Sequence, residues 1–247
     1  MTLNEYIEYL SKWLKDVNEK TKTNGYIFGL SGGLDSACVA GLLKKSVNQN
    51  CLALILPCHS NSKDVEDALL VAKTFNIPHL TIDLSSAFDE LVKNLKDSDE
   101  IIANSKNKNA LNNIKVRLRM VTLYALGQAR NYLVCGTDNL DEWYTGYFTK
   151  YGDGGVDLVP LIHLTKGEVK EVSRLLGVPE SIIKKVPSAG LYQGQTDESE
   201  LGVSYDELDK YLLGKSIDKK KDEIIRRLHL SSEHKRRLAI QPKPFER

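Results

Sequence analysis

Apolar residues in this chain fall into short runs separated by longer stretches with helical spacing. The short runs, which predict strands, lie at 26–30, 51–57, 78–83 and 133–137. The helically spaced stretches lie at 3–17, 36–43, 62–75, 113–132 and 165–176. This alternation predicts an α/β domain with a doubly wound, mostly parallel sheet flanked by helices. In such a sheet, ligands bind at the carboxyl ends of the strands.

Two polar stretches interrupt this pattern. Residues 96–113 are rich in Asn, Lys, Asp and Ser, and we expect them to form a mobile surface excursion. On the helix that follows, Lys115 and Arg119 are expected to belong to a solvated face. Residues 187–197 contain two glycines and little apolar content, which indicates a lid that could close over a nucleotide.

The first predicted strand runs directly into Ser31-Gly32-Gly33-Leu34-Asp35-Ser36 and then into an apolar helix. A strand, a glycine turn and a helix N-terminus present backbone N–H groups to an anion such as phosphate. Asp35 would repel phosphates unless it holds Mg²⁺, which reverses the local charge. The stretch has neither the lysine of the Walker loop nor the G-x-G-x-x-G spacing of dinucleotide-binding folds.

Further candidate chemistry follows the last predicted strand. Oxygen-bearing side chains at 137–142 come at its carboxyl end and suit a hard cation or a ribose. The glycine-rich loop at 147–157 is too polar for a core and predicts a binding loop. Lys166 falls in the first turn of a predicted helix, where the dipole disfavours a cation. That position suggests a role in binding phosphate.

Composition narrows the class of protein. The 247 residues carry 34 basic and 33 acidic side chains, a net charge of +1, so a surface that coats nucleic acid is not indicated. The four cysteines form no C-x-x-C pair, which predicts buried free thiols in a reducing cytoplasm. No apolar run approaches the length needed to span a bilayer. We expect one domain, 1–247, in the cytoplasm and away from membranes.

The glycine turn resembles the PP-loop of N-type ATP pyrophosphatases, which have an adenine nucleotide alpha hydrolase-like fold. Motifs along nearly the whole chain then resemble one member family, the ammonia-dependent NAD⁺ synthetases. These motifs are Ser31–Ser36, Asn113–Met120, Gly136–Asp138, Thr145–Gly155, Leu164–Lys166, Pro187–Gly190, Gly194–Glu198 and His234-Lys235.

The resemblance implies a ligase that forms a C–N bond. ATP adenylates the pyridine carboxylate of nicotinic acid adenine dinucleotide (deamido-NAD), and ammonia then displaces AMP to give NAD. The partners implied are deamido-NAD, ATP, ammonia and Mg²⁺. A chain of 247 residues has no room for the glutaminase domain of the glutamine-dependent members. The family also implies a homodimer with its active site near the interface.

The same resemblance assigns site residues by position. The catalytic residues implied are Asp35, Lys150 and Lys166. The ATP site comprises Gly29, Leu30, Ser31, Gly32, Gly33, Leu34, Asp35, Ser36, Thr137, Lys166 and Ser188. Deamido-NAD is expected to meet Arg117, Lys150, Asp157, His234 and Lys235, the last two supplied by the other subunit. The metal ligands implied are Asp35 and Glu142.

One departure from the family pattern leaves an alternative open. Asn139-Leu140-Asp141 stands where His-Ala-Ala is common, so Asp141 competes with Glu142 as the second metal ligand. Two other classes of protein also share the glycine turn. A tRNA-modifying ATP pyrophosphatase would need a broad basic surface and often a cysteine pair. A non-catalytic nucleotide-binding module would not need the set Asp35, Glu142, Lys150 and Lys166 together.

Overall fold

The computed structural model describes residues 1–105, 108–188 and 196–246. Within them a four-stranded, fully parallel sheet forms the centre of the molecule in the order β3-β2-β1-β4. The strands are β1 (Gly25–Gly29), β2 (Cys51–Ile55), β3 (His79–Thr81) and β4 (Tyr132–Val134). The predicted strands and their parallel arrangement are confirmed. The predicted lid at 187–197 falls mostly on 189–195, outside the described residues.

Helices connect and cover the strands. Their bounds are α1 (Leu3–Thr21), α2 (Leu34–Val47), α3 (Ser62–Thr74), α4 (Ser85–Ser98), α5 (Glu100–Ala103), α6 (Lys108–Gln128), α7 (Leu140–Thr145), α8 (Lys166–Leu176), α9 (Glu180–Ile183), α10 (Asp197–Leu201), α11 (Tyr205–Leu212) and α12 (Lys219–Ser231). A short 3₁₀ turn follows at Glu233–Lys235. Among the described helices, none is long and apolar enough to cross a bilayer.

Alternate residues of the central strand face two separate apolar cores. Tyr26 and Phe28 point to the face covered by α1, α2, α3 and α8, where most of the buried apolar residues lie. Ile27 points to the opposite face, where Phe88 of α4 and Leu118 of α6 pack. Helices therefore cover both faces at the centre of the sheet, which is why β1 and β2 are almost continuously buried and apolar, whereas the edge strand β3 is exposed. The doubly wound architecture is confirmed.

The glycine turn and the segment after β4 meet because β1 and β4 are neighbours in the sheet. β2 lies on the other side of β1, so the strand order reverses beside β1, where ligands bind in open α/β sheets. Gly32 has φ +77°, and a Cβ there would lie 2.3 Å from the Asp64 carbonyl oxygen. The turn therefore packs directly against the start of α3, and only glycine fits.

Residues 96–113 lie largely on the surface, as expected, and most of their described part belongs to α4, α5 and α6; their mobility stays a prediction. The expectation that Lys115 and Arg119 form a solvated face is wrong. Lys115 is only 8% exposed, with its ammonium 5.2 Å from the Phe88 ring centre. Arg119 donates to the Leu56 carbonyl oxygen at 3.0 Å, because α6 turns this side toward the end of β2.

Candidate active site

Local hydrogen bonds fix the shape of the glycine turn. The Ser31 backbone N–H donates to Ser36 Oγ at 3.2 Å, and the Gly33 N–H donates to Ser31 Oγ at 3.2 Å. Gly33 is the N-cap of α2 and makes no side-chain cap. The turn thus delivers the positive end of α2 to the carboxyl edge of the sheet, as the anion-site prediction requires.

Lys166 is buried at this edge between two carboxylates. Its side chain is 2% exposed, and its ammonium lies 2.6 Å from Asp35 Oδ2 and 3.2 Å from Glu142 Oε1. Burial alone lowers the pKa of a lysine, but Asp35 and Glu142 outweigh it and raise the pKa of Lys166 above its ordinary value. The sequence placed this lysine in a helix's first turn, and the fold aims it at Asp35.

Asn139 joins the glycine turn to the segment after β4. Its side-chain N–H donates to Asp35 Oδ1 at 2.9 Å, and its side-chain oxygen accepts from the Glu142 N–H at 3.0 Å. The Glu142 side chain accepts from the Asn139 N–H in return, which completes a capping box at α7. Sequence reasoning missed Asn139 as a site residue, although the Asn-x-x-Glu spacing was a usable signal.

Asp141 and Glu142 have different surroundings. Asp141 is fully buried and accepts from the Lys166 backbone N–H at 2.8 Å. Burial, followed by the neighbouring Asp209 carboxyl, raises the pKa of Asp141 to about 8. Burial raises the pKa of Glu142 to about 7, and the Lys166 ammonium counteracts this rise. Asp141 therefore holds the backbone of α8, whereas Glu142 holds the Lys166 side chain.

Tyr205, a residue that sequence reasoning missed, lies next to the Lys166 ammonium, and it shares the Asp197 carboxylate with Tyr147. The Tyr205 ring centre lies 4.8 Å from the Lys166 ammonium, and its hydroxyl donates to Asp197 Oδ2 at 2.9 Å. Tyr147 donates to the other oxygen of Asp197 at 3.2 Å. Asp197 lies in a motif that resembles the family, but no local pattern signalled Tyr205.

Lys150 lies beside the C-terminal residues of its own chain. Its ammonium donates to the His234 carbonyl oxygen at 2.6 Å and to the Leu238 carbonyl oxygen at 3.2 Å. Lys235 donates to the carbonyl oxygens of Gly146 and Phe148, both at 2.8 Å. The structure thus groups Lys150, His234 and Lys235 within one chain. That His234 and Lys235 act in the site of a second subunit stays a prediction.

The remaining predicted residues have varied surroundings. Arg117 is exposed and donates to the Lys150 carbonyl oxygen at 3.3 Å. The Asp157 carboxylate accepts from the Val134 N–H at 2.8 Å and from the Tyr124 hydroxyl at 3.1 Å, so it connects the end of β4 to α6. Thr137 is half-buried after β4, and Ser188 is exposed.

Asp35 and Glu142 provide carboxylate oxygens that could bind a divalent cation. Among the described residues, no group of three or more His, Cys, Asp or Glu side chains is arranged to hold a metal. The Asp35 and Glu142 oxygens nevertheless converge on one cationic centre, the Lys166 ammonium. Mg²⁺ in nucleotide enzymes is held by one or two carboxylates together with substrate phosphates. The two carboxylates fit that requirement.

Comparison with known proteins agrees with this arrangement. Residues 6–242 match the family model described as NAD synthase. The chain is 46% identical over 247 residues, covering all of both chains, to the NH₃-dependent NAD⁺ synthetase of Mesoplasma florum.

Solved structures give the same result. An NMN synthetase from Francisella tularensis superposes with a TM-score of 0.92 at 42% identity, covering 98% of this chain and 99% of the other. The NH₃-dependent NAD synthetase from Campylobacter jejuni superposes with a TM-score of 0.79 at 27% identity over the whole of both chains. These likenesses confirm the fold expected from the PP-loop. Since the family model and a full-length relative agree over nearly every residue, this chain belongs to the NAD synthase family.

Proposed function

We propose that the protein is a ligase that amidates nicotinic acid adenine dinucleotide with ammonia, consuming ATP and releasing NAD, AMP and pyrophosphate. The observation that carries this proposal is the Lys166 ammonium between Asp35 and Glu142, at the turn where phosphate would bind. Full-length likeness to an NH₃-dependent NAD⁺ synthetase supports the substrates.

The chain's own groups would act mainly by positioning and by charge. The backbone N–H groups of Gly32 and Gly33 and the start of α2 would hold the leaving pyrophosphate. The Lys166 ammonium would face the phosphates as a point charge. No protein nucleophile is needed, because the substrate carboxylate itself attacks the α-phosphate. Alignment of two bound reactants can supply on the order of 7–11 kcal/mol.

Asp35 and Glu142 are the proposed ligands of Mg²⁺. Bound there, the ion would neutralise charge on the α and β phosphates. Glu142 suits this role better than Asp141, since Glu142 and Asp35 converge on one cationic group, the Lys166 ammonium, whereas Asp141 accepts from the Lys166 backbone N–H. The departure from the family pattern left Asp141 and Glu142 both open as the second metal ligand, and we therefore propose Glu142.

The other assignments remain proposals. The ATP site would extend from Gly29 to Ser36 and include Thr137 and Ser188. The acid substrate would meet Arg117, Lys150, Asp157, His234 and Lys235, and the grouping of three of these around one loop supports it. We also propose a single catalytic domain, a homodimer, and a reducing cytoplasmic location. The location rests on four buried free thiols.

The test is an end-point assay with Mg-ATP, ammonium and nicotinic acid adenine dinucleotide. We expect NAD, AMP and pyrophosphate in equal amounts. Replacing ammonium by glutamine should abolish NAD formation, because the proposed domain lacks a glutaminase. Asp35→Ala is the control for a contaminating activity. Consumption of ATP without any amide product would contradict the proposal.

A second candidate acid substrate is nicotinic acid mononucleotide. The similarity to an NMN synthetase, at 42% identity and a TM-score of 0.92, specifically favours including it, because amidation of this acid yields NMN. The two acids should be compared at equal concentration by kcat/KM. A higher value for the mononucleotide would reassign the substrate and leave the ATP chemistry unchanged.

A further inference from the structure

Lys185 connects a distant part of the chain to the glycine turn. It lies just beyond α9, yet its ammonium donates to the Gly32 carbonyl oxygen at 3.2 Å. It also donates to Asp64 Oδ1 and to Asp67 Oδ2, both at 2.8 Å. One cation therefore holds a backbone oxygen of the turn and two carboxylates at the start of α3.

Asp64 and Asp67 lie next to the proposed phosphate site, and their negative charges would repel phosphate if Lys185 did not neutralise them. Asp64 and Asp67 lie against Gly32, since a Cβ on Gly32 would be 3.0 Å from Asp67 Cβ. Unpaired negative charge this close to the turn would oppose a bound polyphosphate. Lys63 also reaches Asp67, at 3.1 Å, but its side chain is 66% exposed and its effect is screened by solvent.

The bond to Gly32 has a geometric consequence as well. Gly32 has a left-handed backbone conformation, and its carbonyl orientation fixes the peptide plane whose N–H belongs to Gly33. An ammonium on that carbonyl holds the Gly33 N–H in one direction. Groups held in place before the ligand arrives lose less entropy when it binds.

We infer that Lys185 is a positioning residue of the ATP site, which orients the glycine turn through the Gly32 carbonyl and neutralises Asp64 and Asp67. This role rests on the proposed use of ATP. It does not require Lys185 to touch the nucleotide. It also fixes the chain three residues before Ser188, a proposed ATP contact.

The pKa of Lys185 agrees with the geometry. Burial lowers the pKa of this ammonium, but hydrogen bonds to Asp64 and Asp67 outweigh burial, and the net shift is upward. The side chain thus remains charged at neutral pH. The neighbouring Lys184 provides a contrast, because it is 77% exposed and its ion pair among the described residues is with Glu180, at 3.5 Å.

The test compares Lys185→Met, Lys185→Arg and the control Lys184→Met by steady-state kinetics. For Lys185→Met we expect KM for ATP to rise by about tenfold or more, with KM for the acid substrate within about twofold of wild type. Lys185→Arg keeps the charge and the donors and should recover most of the ATP affinity. Lys184→Met should match wild type.

A structural role alone would change both KM values together and would not be rescued by Asp67→Asn. In the Lys185→Met background, Asp67→Asn removes an unpaired carboxylate and should restore part of the ATP affinity. Lys185→Gln replaces Lys185→Met if the latter does not fold. The inference would be overturned if Lys185→Met, or Lys185→Gln in its place, left KM for ATP unchanged. It would also be overturned if that variant raised KM equally for ATP and for the acid substrate.

Direct binding of a non-hydrolysable ATP analogue separates this inference from the proposed function. If the wild-type protein does not bind the analogue, the proposed use of ATP fails and the inference fails with it. If wild type and Lys185→Met bind it equally tightly, only the positioning role is overturned. We expect wild type to bind and Lys185→Met to bind about tenfold more weakly.

Discussion

The ammonium nitrogen of Lys166 lies 2.6 Å from a carboxylate oxygen of Asp35, although 131 residues separate the two in sequence. Glu142 completes the group at 3.2 Å. One buried cation thus faces two carboxylates, which leaves the group with a net negative charge when both are ionised. A second cation at this position is favourable on charge alone, in agreement with the proposed Mg²⁺ site.

Lys166→Met should destabilise the protein and abolish ATP cleavage. Removing the ammonium leaves Asp35 and Glu142 without their shared partner, and breaking a buried ion pair from one side costs about 3–5 kcal/mol. The free energy of unfolding in urea measures this. Added Mg²⁺ should raise the melting temperature of Lys166→Met more than that of wild type. Lys170→Met, on the same helix, is the control, and equal stability of Lys166→Met and wild type would contradict the prediction.

Asn139→Ala should reduce both stability and activity. The substitution removes the N-cap of α7 and the hydrogen bond to Asp35, and loss of an N-cap costs about 0.5–2 kcal/mol. Thr2→Ala removes a capping box of the same kind from α1, which contributes no proposed site residue. The larger loss of stability is expected in Asn139→Ala, because buried Asn139 also loses its bond to Asp35, and activity should be lost only in that variant. If Thr2→Ala lost as much activity, the effect would be one of general stability.

Acid should weaken the contact between Asp67 and its lysines. Burial raises the pKa of Asp67, but hydrogen bonds from Lys185 and Lys63 outweigh it, so the pKa lies below the ordinary value of 3.8. The unfolded state then binds the proton more tightly than the folded state, and this stabilisation is lost as pH falls through the folded pKa. Unfolding free energies measured from neutral to acidic pH should fall less steeply for Asp67→Asn than for wild type. Asp97→Asn, an exposed site, should follow wild type; parallel curves for Asp67→Asn and wild type would contradict the prediction.

The thiols should be unreactive until the protein unfolds. All four cysteines are free and buried, and burial raises the pKa of Cys38 to about 12 and that of Cys51 to about 11. The thiolate is the reactive form, so an alkylating reagent near neutral pH should modify none of them in the native state. Mass spectrometry should find all four modified in guanidinium. Rapid native modification of Cys38 would show that the packing around α2 opens.

Local patterns correctly predicted the elements that local physics controls. The apolar runs predicted the four strands, and the reason is clearest for β1 and β2, since a strand covered on both faces must be apolar throughout. Thr2 and Glu5 fixed the start of α1 through a capping box, and Gly177, with φ +86°, ended α8. The polar composition of 96–113 correctly indicated a surface position but did not indicate the helices found there, because helices exposed on the surface carry few apolar residues.

The sequence by itself thus determined the glycine turn, the alternation of strands and helices, and the family likeness. Which cation contacts which oxygen atom depends on the tertiary structure. Lys166 faces Asp35, Lys185 holds Gly32, and Arg119 reaches the end of β2. These contacts span 131, 153 and 63 residues of sequence. They depend on the order of strands in the sheet, which no local periodicity encodes, because helical and strand spacing report only which face of an element is buried.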